Sequence, residues 1–371
     1  MSSRIVMKFG FVILFLLLSA GSYQAQEKTE VTWYDAVEFG IQGKGFPDTK
    51  SPYDRLPQKA EKLVPEGVWA RSLNSAGMSV SFATDADMIV VRWTLRSPSI
   101  QTPYLSSMSV AGLDLYVRSG NKWMWAATKT PTKFPETTQT FLRGMSRELR
   151  EYRLYLPSYN GVAKVEIAVP KGSRIGKYTE RSETKPVVFY GSSIVQGSAS
   201  SRPGMTYVAQ LGRRLGVPTV NLGFSGLCKM EPAMADLLAE LDPSVFVVDC
   251  LPNMQVPEIK ERTVPLIRKL RKARPDTPIV LVENPMYSQA LWNTNVKRSV
   301  DAKNAVLAAE FAKLSKEGVK KLHYVEGEKL YGIEGGSTVD GVHPTDLGFT
   351  LFADALEPVL RNLLPGTASG K

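Results

Sequence analysis

The spacing of apolar residues changes near the middle of the chain. From about Val31 to Glu183, apolar and polar residues alternate in short runs. Met78-Ser79-Val80-Ser81-Phe82 and Leu113-Asp114-Leu115-Tyr116-Val117-Arg118 are the clearest, and Tyr152 to Leu156 is looser. Ile89 to Trp93 and Ala163 to Val169 extend the series. A period of two is that of a strand with one buried face. Turn residues separate the runs, as in Pro157-Ser158-Tyr159-Asn160-Gly161. Regular short strands without a long helical pattern predict a β-sandwich.

From Pro186 the period alternates between strand and helix. Pro186 to Tyr190 is a short apolar run, as expected of a parallel strand buried on both faces. Further strands are predicted at Thr219–Leu222, Ser244–Cys250, Ile279–Glu283 and Leu322–Val325. Helices are predicted at Tyr207–Leu215, Glu231–Leu241, Val256–Ala273, Val296–Lys316 and Leu347–Leu363. That order implies an α/β fold, a parallel sheet with helices on both faces. Gly172 to Lys185 is rich in charge, Ser, Thr and Gly and reads as a linker. The expected division is 27–183 for the β-sandwich and 184–366 for the α/β half. The length of 371 residues suits two domains.

The first 25 residues stand apart. Arg4 and Lys8 precede an apolar run from Phe9, and small and polar residues follow up to Ala25. This is the pattern of a secretory signal peptide, and the run is short for a bilayer, which takes about 20 apolar residues. A periplasmic or extracellular protein is expected, with no stable membrane insertion after cleavage. The net charge is +10, and losing Arg4 and Lys8 leaves +8. A basic surface suits an acidic polysaccharide or simple solvation. No dense basic run is interleaved with aromatics, which argues against nucleic acid. The two cysteines, Cys228 and Cys250, fall in a loop and at a strand end expected to be neighbours. Export permits a bridge between them, while buried free thiols are the default. Two histidines and two cysteines make a metal site of that type unexpected, and no cofactor is expected.

In an open parallel sheet, ligands bind beyond the carboxyl ends of the strands. Four segments fall there: Gly191 to Gly197, Gly223-Phe224-Ser225-Gly226, Leu251-Pro252-Asn253-Met254, and Thr338 to Pro344. Together they hold what acyl transfer needs. A serine hydroxyl requires a base within hydrogen-bond reach, usually histidine. A carboxylate must hold the imidazole, and donors must face the oxyanion. Ser193, His343 and Asp340 fit the first roles. The Ser193 N–H, the Gly226 N–H and the Asn253 amide fit the oxyanion hole.

These segments resemble the SGNH (GDSL-like) hydrolase family over Pro186 to about Leu364. Gly191-Ser192-Ser193-Ile194 is similar to the Gly-Asp-Ser-Leu turn, with Ser192 where the family usually has Asp. Gly226 is similar to the family's donor glycine, with Gly223 as the weaker candidate. Pro252-Asn253-Met254 is similar to the asparagine block, although the usual neighbouring Gly and Asp are absent. Asp340-Gly341-Val342-His343 is similar to the closing Asp-x-x-His. Gly112-Leu113-Asp114-Leu115-Tyr116 resembles the Gly-x-Asp-Leu-Tyr segment of a β-rich domain found ahead of some bacterial members. The resemblance implies a flavodoxin-like sheet behind a jelly-roll-like front domain. It also implies hydrolysis of short acyl esters, acetyl foremost, on carbohydrate. The alternatives are a lysophospholipid esterase, an acyltransferase, and an inactive glycan-binding protein.

Each segment also has a simpler reading. Ser193 could be a helix cap, and Ser192 is the fallback nucleophile. Asp340 could belong to an Asp-Gly turn, and Asn253 could cap a turn after Pro252. His323, in an apolar strand, reads as a strand-face residue rather than a base. Trp123-Met124-Trp125 reads as sandwich core before sugar platform.

Overall fold

The computed structural model describes residues 29–178, 184–332 and 335–364. The expected signal peptide and residues 179–183 of the expected linker lie outside them. Ten described strands form the front half: β1 (Val31–Asp35), β2 (Ile41–Gln42), β3 (Ser79–Thr84), β4 (Met88–Leu95), β5 (Leu113–Ser119), β6 (Lys122–Lys129), β7 (Glu136–Arg143), β8 (Arg150–Tyr155), β9 (Val162–Pro170) and β10 (Ile175–Lys177). One sheet runs β1-β9-β4-β7 and the other β10-β3-β8-β5-β6, with β2 on β3. All described pairings in both sheets are antiparallel. Val80, Phe82, Val91, Trp93, Leu115, Leu154 and Ile167 fill the space between them. Two short helices, α1 (Glu66–Ser72) and α2 (Ser107–Ala111), interrupt the strands.

The second half alternates as its periodicity predicts. Its strands are β11 (Val187–Gly191), β12 (Thr219–Gly223), β13 (Val245–Asp249), β14 (Ile279–Val282) and β15 (Leu322–Val325). Its helices are α3 (Ser193–Gln196), α4 (Tyr207–Leu215), α5 (Pro232–Glu240), α6 (Val256–Ala273), α7 (Thr294–Lys316) and α8 (Asp346–Leu363). The five strands pair in parallel in the order β12-β11-β13-β14-β15. This is the doubly wound flavodoxin-like order. Successive strand residues point to opposite faces. Val187, Phe189, Val245 and Val247 therefore meet α4 and α8. Val188, Tyr190, Phe246 and Val248 meet α5, α6 and α7 on the other side.

The two halves are closely joined, and Val31 onward forms one compact unit. Phe46, Leu56, Val64, Val68 and Trp69 leave the sandwich and enter the core over the second face of the parallel sheet. A polar clamp joins the halves elsewhere. Asp114, fully buried in β5, accepts hydrogen bonds from Thr128 Oγ1 at 2.6 Å and the Gly204 N–H at 2.9 Å. Arg202 pairs with it at 3.3 Å and stacks over Trp125. Trp125 and Met124 are about half exposed, so only Trp123 of that cluster is partly packed, and the core reading fails for the other two. β6 ends its sheet, so its side chains lack strand neighbours on one side.

Removing a buried carboxylate strands the donors it served. Asp114→Ala is therefore expected to cost about 3 kcal/mol, seen as a lower denaturant midpoint. An unchanged midpoint would remove Asp114 as a joint between the halves.

Candidate active site

Sheet order places β11 between β12 and β13. The turn after β11 is thereby flanked by the loops that follow β12 and β13. Ser192 ends the strand extension and caps α3, its Oγ accepting the Ile194 N–H at 3.3 Å. The helix cap is thus Ser192, and Ser193 is the first helical residue. At that position the N–H has no intrahelical acceptor.

The Ser193 Oγ lies 2.9 Å from His343 Nε2. His343 Nδ1 lies 2.7 Å from Asp340 Oδ2. Asp340 Oδ1 also accepts the Val342 and His343 N–H groups at 3.0 and 2.7 Å. Burial alone would raise the Asp340 carboxyl, but these hydrogen bonds outweigh it and hold the group below the ordinary aspartate range. A charged Asp340 accepts the Nδ1 proton, which leaves Nε2 as the acceptor for the serine hydroxyl. The Tyr104 ring, from the front half, stacks on the imidazole with centroids 5.2 Å apart and planes inclined by 16°.

The donors opposite are set by elimination. Between Gly223 and Cys228, the Gly223 N–H goes to Asn221 Oδ1 and the Phe224 N–H to the Gly191 carbonyl. The Ser225 N–H goes to Gln196 Oε1 and the Leu227 N–H to the Phe224 carbonyl. The Cys228 N–H reaches Asn253 Oδ1 at 3.4 Å. Among the described residues, only the Gly226 N–H of this segment has no acceptor. Gly226 has φ +76°, a conformation that favours glycine. Gly223 cannot carry a side chain, since a Cβ there would lie 2.2 Å from the Gln196 nitrogen. Asn253 ends a short turn, Leu251–Asn253, and with Oδ1 engaged its Nδ2 is uncommitted among the described residues. Cys228 and Cys250 are paired across these two loops, with Cα atoms 5.4 Å apart, so the default of two free thiols is not met. The physical reason is sheet order, which sets the segments after β12 and β13 on either side of one strand.

The other histidine, His323, is half-buried in edge strand β15, beside Lys185, Ser244 and Pro278 at the amino ends of the strands. That is the opposite end of the sheet from Ser193. Among the described residues no group of three or more His, Cys, Asp or Glu is arranged to hold a metal ion. A hydroxyl on an imidazole on a carboxylate, beside uncommitted N–H donors, is the hydrogen-bond chain that serine acyl transfer requires.

The family to which such a chain belongs follows from two comparisons. A model of the GDSL-like lipase/acylhydrolase family matches residues 184–361. A model for the N-terminus of SGNH-hydrolase-type esterases matches residues 31–175. A protein from Bacteroides ovatus described as a GDSL-like lipase is 33% identical, over 90% of this chain and 98% of that one, with a TM-score of 0.86. The chain belongs to the GDSL-like lipase/acylhydrolase family and is an SGNH-type esterase. The fold is shared by a salicylyl-acyltransferase from a tetracycline biosynthetic pathway, at 20% identity and TM-score 0.70 over 90% and 94% of the two chains. It is shared too by a family two carbohydrate esterase from Clostridium thermocellum in complex with cellohexaose, at 15% identity and TM-score 0.57 over 77% and 92%. No curated protein matches the chain.

Several residues around the site have no signal in the sequence. Tyr104, Tyr159, Asn74 and Arg55 come from the front half, far from Ser193 in sequence. Gln196, one turn after Ser193, could have been found by helical spacing. Asp249, at the end of β13, is fully buried. It accepts the Tyr207 hydroxyl at 3.0 Å, and its Oδ1 has no partner. Burial pushes its carboxyl up to about 8, although the Tyr207 hydrogen bond opposes the shift. Its main-chain oxygen accepts the Ser192 N–H at 3.1 Å.

A folded-state value raised above the unfolded one means that the folded protein keeps a proton the unfolded chain has lost. Stability from this group is full below about 3.8 and declines as pH rises toward about 8. Asp249→Asn cannot ionise, so its unfolding free energy should fall less than that of the wild type between pH 5 and 8. Parallel curves in denaturant titrations across that range would contradict a neutral buried acid.

Proposed function

We propose that this protein is an exported serine esterase that removes short acyl groups, acetyl foremost, from carbohydrate. Asp340 orients His343, and His343 takes the proton of Ser193 as its oxygen attacks the ester carbonyl. The Ser193 and Gly226 N–H groups and the Asn253 amide receive the developing oxyanion. Collapse expels the alcohol, protonated by His343, and leaves an acyl-serine. Water then attacks, with His343 again as base, and releases the acid.

The observation that carries this reading is the continuous chain from Ser193 Oγ through His343 to Asp340, at 2.9 and 2.7 Å. An inactive glycan-binding protein would have no need of it. Export is supported by Arg4, Lys8 and the apolar run that follows. The carbohydrate class is supported by export and by the Gly-x-Asp-Leu-Tyr front half. Among solved structures of this fold is an acetyl xylan esterase from Butyrivibrio proteoclasticus, at 12% identity and TM-score 0.54, which makes acetylated glycans the first class to screen.

Ser193→Ala should reduce hydrolysis of p-nitrophenyl acetate by about 10³-fold or more. It should also abolish the mass shift produced by a fluorophosphonate probe. Equal rates in wild type and variant would overturn the nucleophile. Comparing acetyl, butyryl and octanoyl esters separates the short-acyl reading from a lipid esterase, which would prefer octanoyl.

A further inference from the structure

Arg55 is fully buried, yet among the described residues no carboxylate pairs with it. Its hydrogen bonds all go to main-chain carbonyls. Nε donates to Asn74 at 2.9 Å and Nη2 to Arg71 at 2.6 Å, both in the front half. Nη1 donates to Asn221 at 3.2 Å and Gly223 at 2.7 Å, at the end of β12. The guanidinium carbon also sits 4.9 Å from the centre of the Phe224 ring. Burying such a charge without a counter-ion is costly, and burial pushes the guanidinium down to about 9. A planar fork with several donors is the one side chain that can hold four carbonyls from two halves at once.

The groups it holds are the root of the segment that ends in Gly226. Gln196 holds the middle of that segment. Its Oε1 accepts the Ser225 N–H at 2.9 Å, while its Nε2 donates to Asn74 Oδ1 at 3.1 Å and the Ser158 carbonyl at 3.0 Å. Tyr159 adds a hydroxyl donated to the Ser193 carbonyl at 3.4 Å. The Ser193 turn and the Gly226 turn are joined directly through Gln196 and the Gly191 carbonyl, and front-half atoms brace both sides of that joint.

We propose that Arg55 is a positioning residue: it fixes the Gly223–Gly226 loop so that the Gly226 N–H meets the oxyanion, which makes the front half an integral part of the active site. This rests on the oxyanion role given above to Gly226. Misplacing a reacting group by about 1 Å can cost about 10²-fold in rate, whereas ground-state ester binding needs no such donor.

The test uses Arg55→Lys, which keeps a cation but not the fork, and Asn74→Ala, which removes only the Gln196 acceptor. Active sites are counted by fluorophosphonate labelling, and kcat per labelled site is measured with p-nitrophenyl acetate. Arg55→Lys should show kcat per site lower by about 10- to 100-fold, with KM within about 3-fold. Its affinity for phenylboronic acid, whose serine adduct is tetrahedral, should fall in parallel. Asn74→Ala should lose kcat in the same sense by a smaller factor, and it covers the case in which Arg55→Lys does not fold. Unchanged kcat per labelled site in the folded variants, with any loss explained by fewer labelled sites, would overturn the proposal. If Ser193→Ala were active and unlabelled wild type hydrolysed ester, the failure would lie instead in the nucleophile.

Discussion

A single hydrogen bond, from Ser193 to His343, closes a span of 150 residues. It can form only because β11 is central in the sheet and α8 packs against α4 beside it. The Ser193 turn leaves the carboxyl end of β11. His343 sits just before α8, whose start is fixed by the Thr345 cap on the Gly348 N–H. Asp346 then reaches back to the Ser201 N–H at 2.8 Å, so the base loop and the nucleophile loop are tied twice. Strand pairing sets the loops beyond β12 and β13 on each side of β11, and the Cys228–Cys250 pairing ties them to each other.

Much of this was legible in the chain. Parallel strands buried on both faces read as short apolar runs, and five such runs with helical stretches between them predict the sheet. The helices Tyr207–Leu215 and Val256–Ala273 begin and end where their spacing predicts. The strand-end rule then selects Ser193, Gly226, Asn253, Asp340 and His343 without contact information. In the front half, β1, β2, β6, β7 and β10 escaped the same reading. Mixed polar and apolar faces on edge strands, such as β6, leave little period to detect. The short helix α1 escaped because its buried face, Val68 and Trp69, packs against the other half.

What the sequence could not disclose is contact between the halves. Nothing in the sequence singles out Arg55, whose role shows only in its four carbonyl partners. Gln196 is fully buried and joins three segments, two of them in the front half. For Cys228 and Cys250, both in the second half, free thiols are the default reading, since spacing along a chain does not set distance between loops. Ser192, the departure from the family turn, has a structural use here as the cap of α3. The cap keeps Ser193 at the first helical position, where its N–H has no intrahelical acceptor.

Ser193, Gly226 and Asn253 all precede His343 in the chain, by at least one whole strand–helix unit. Until α8 docks against α4, the serine has an ordered turn around it but no base. A serine without a base is a weak nucleophile at neutral pH. On the proposed roles, reactivity thus depends on the docking of α8, and a chain in which it is undocked would hold Ser193 idle.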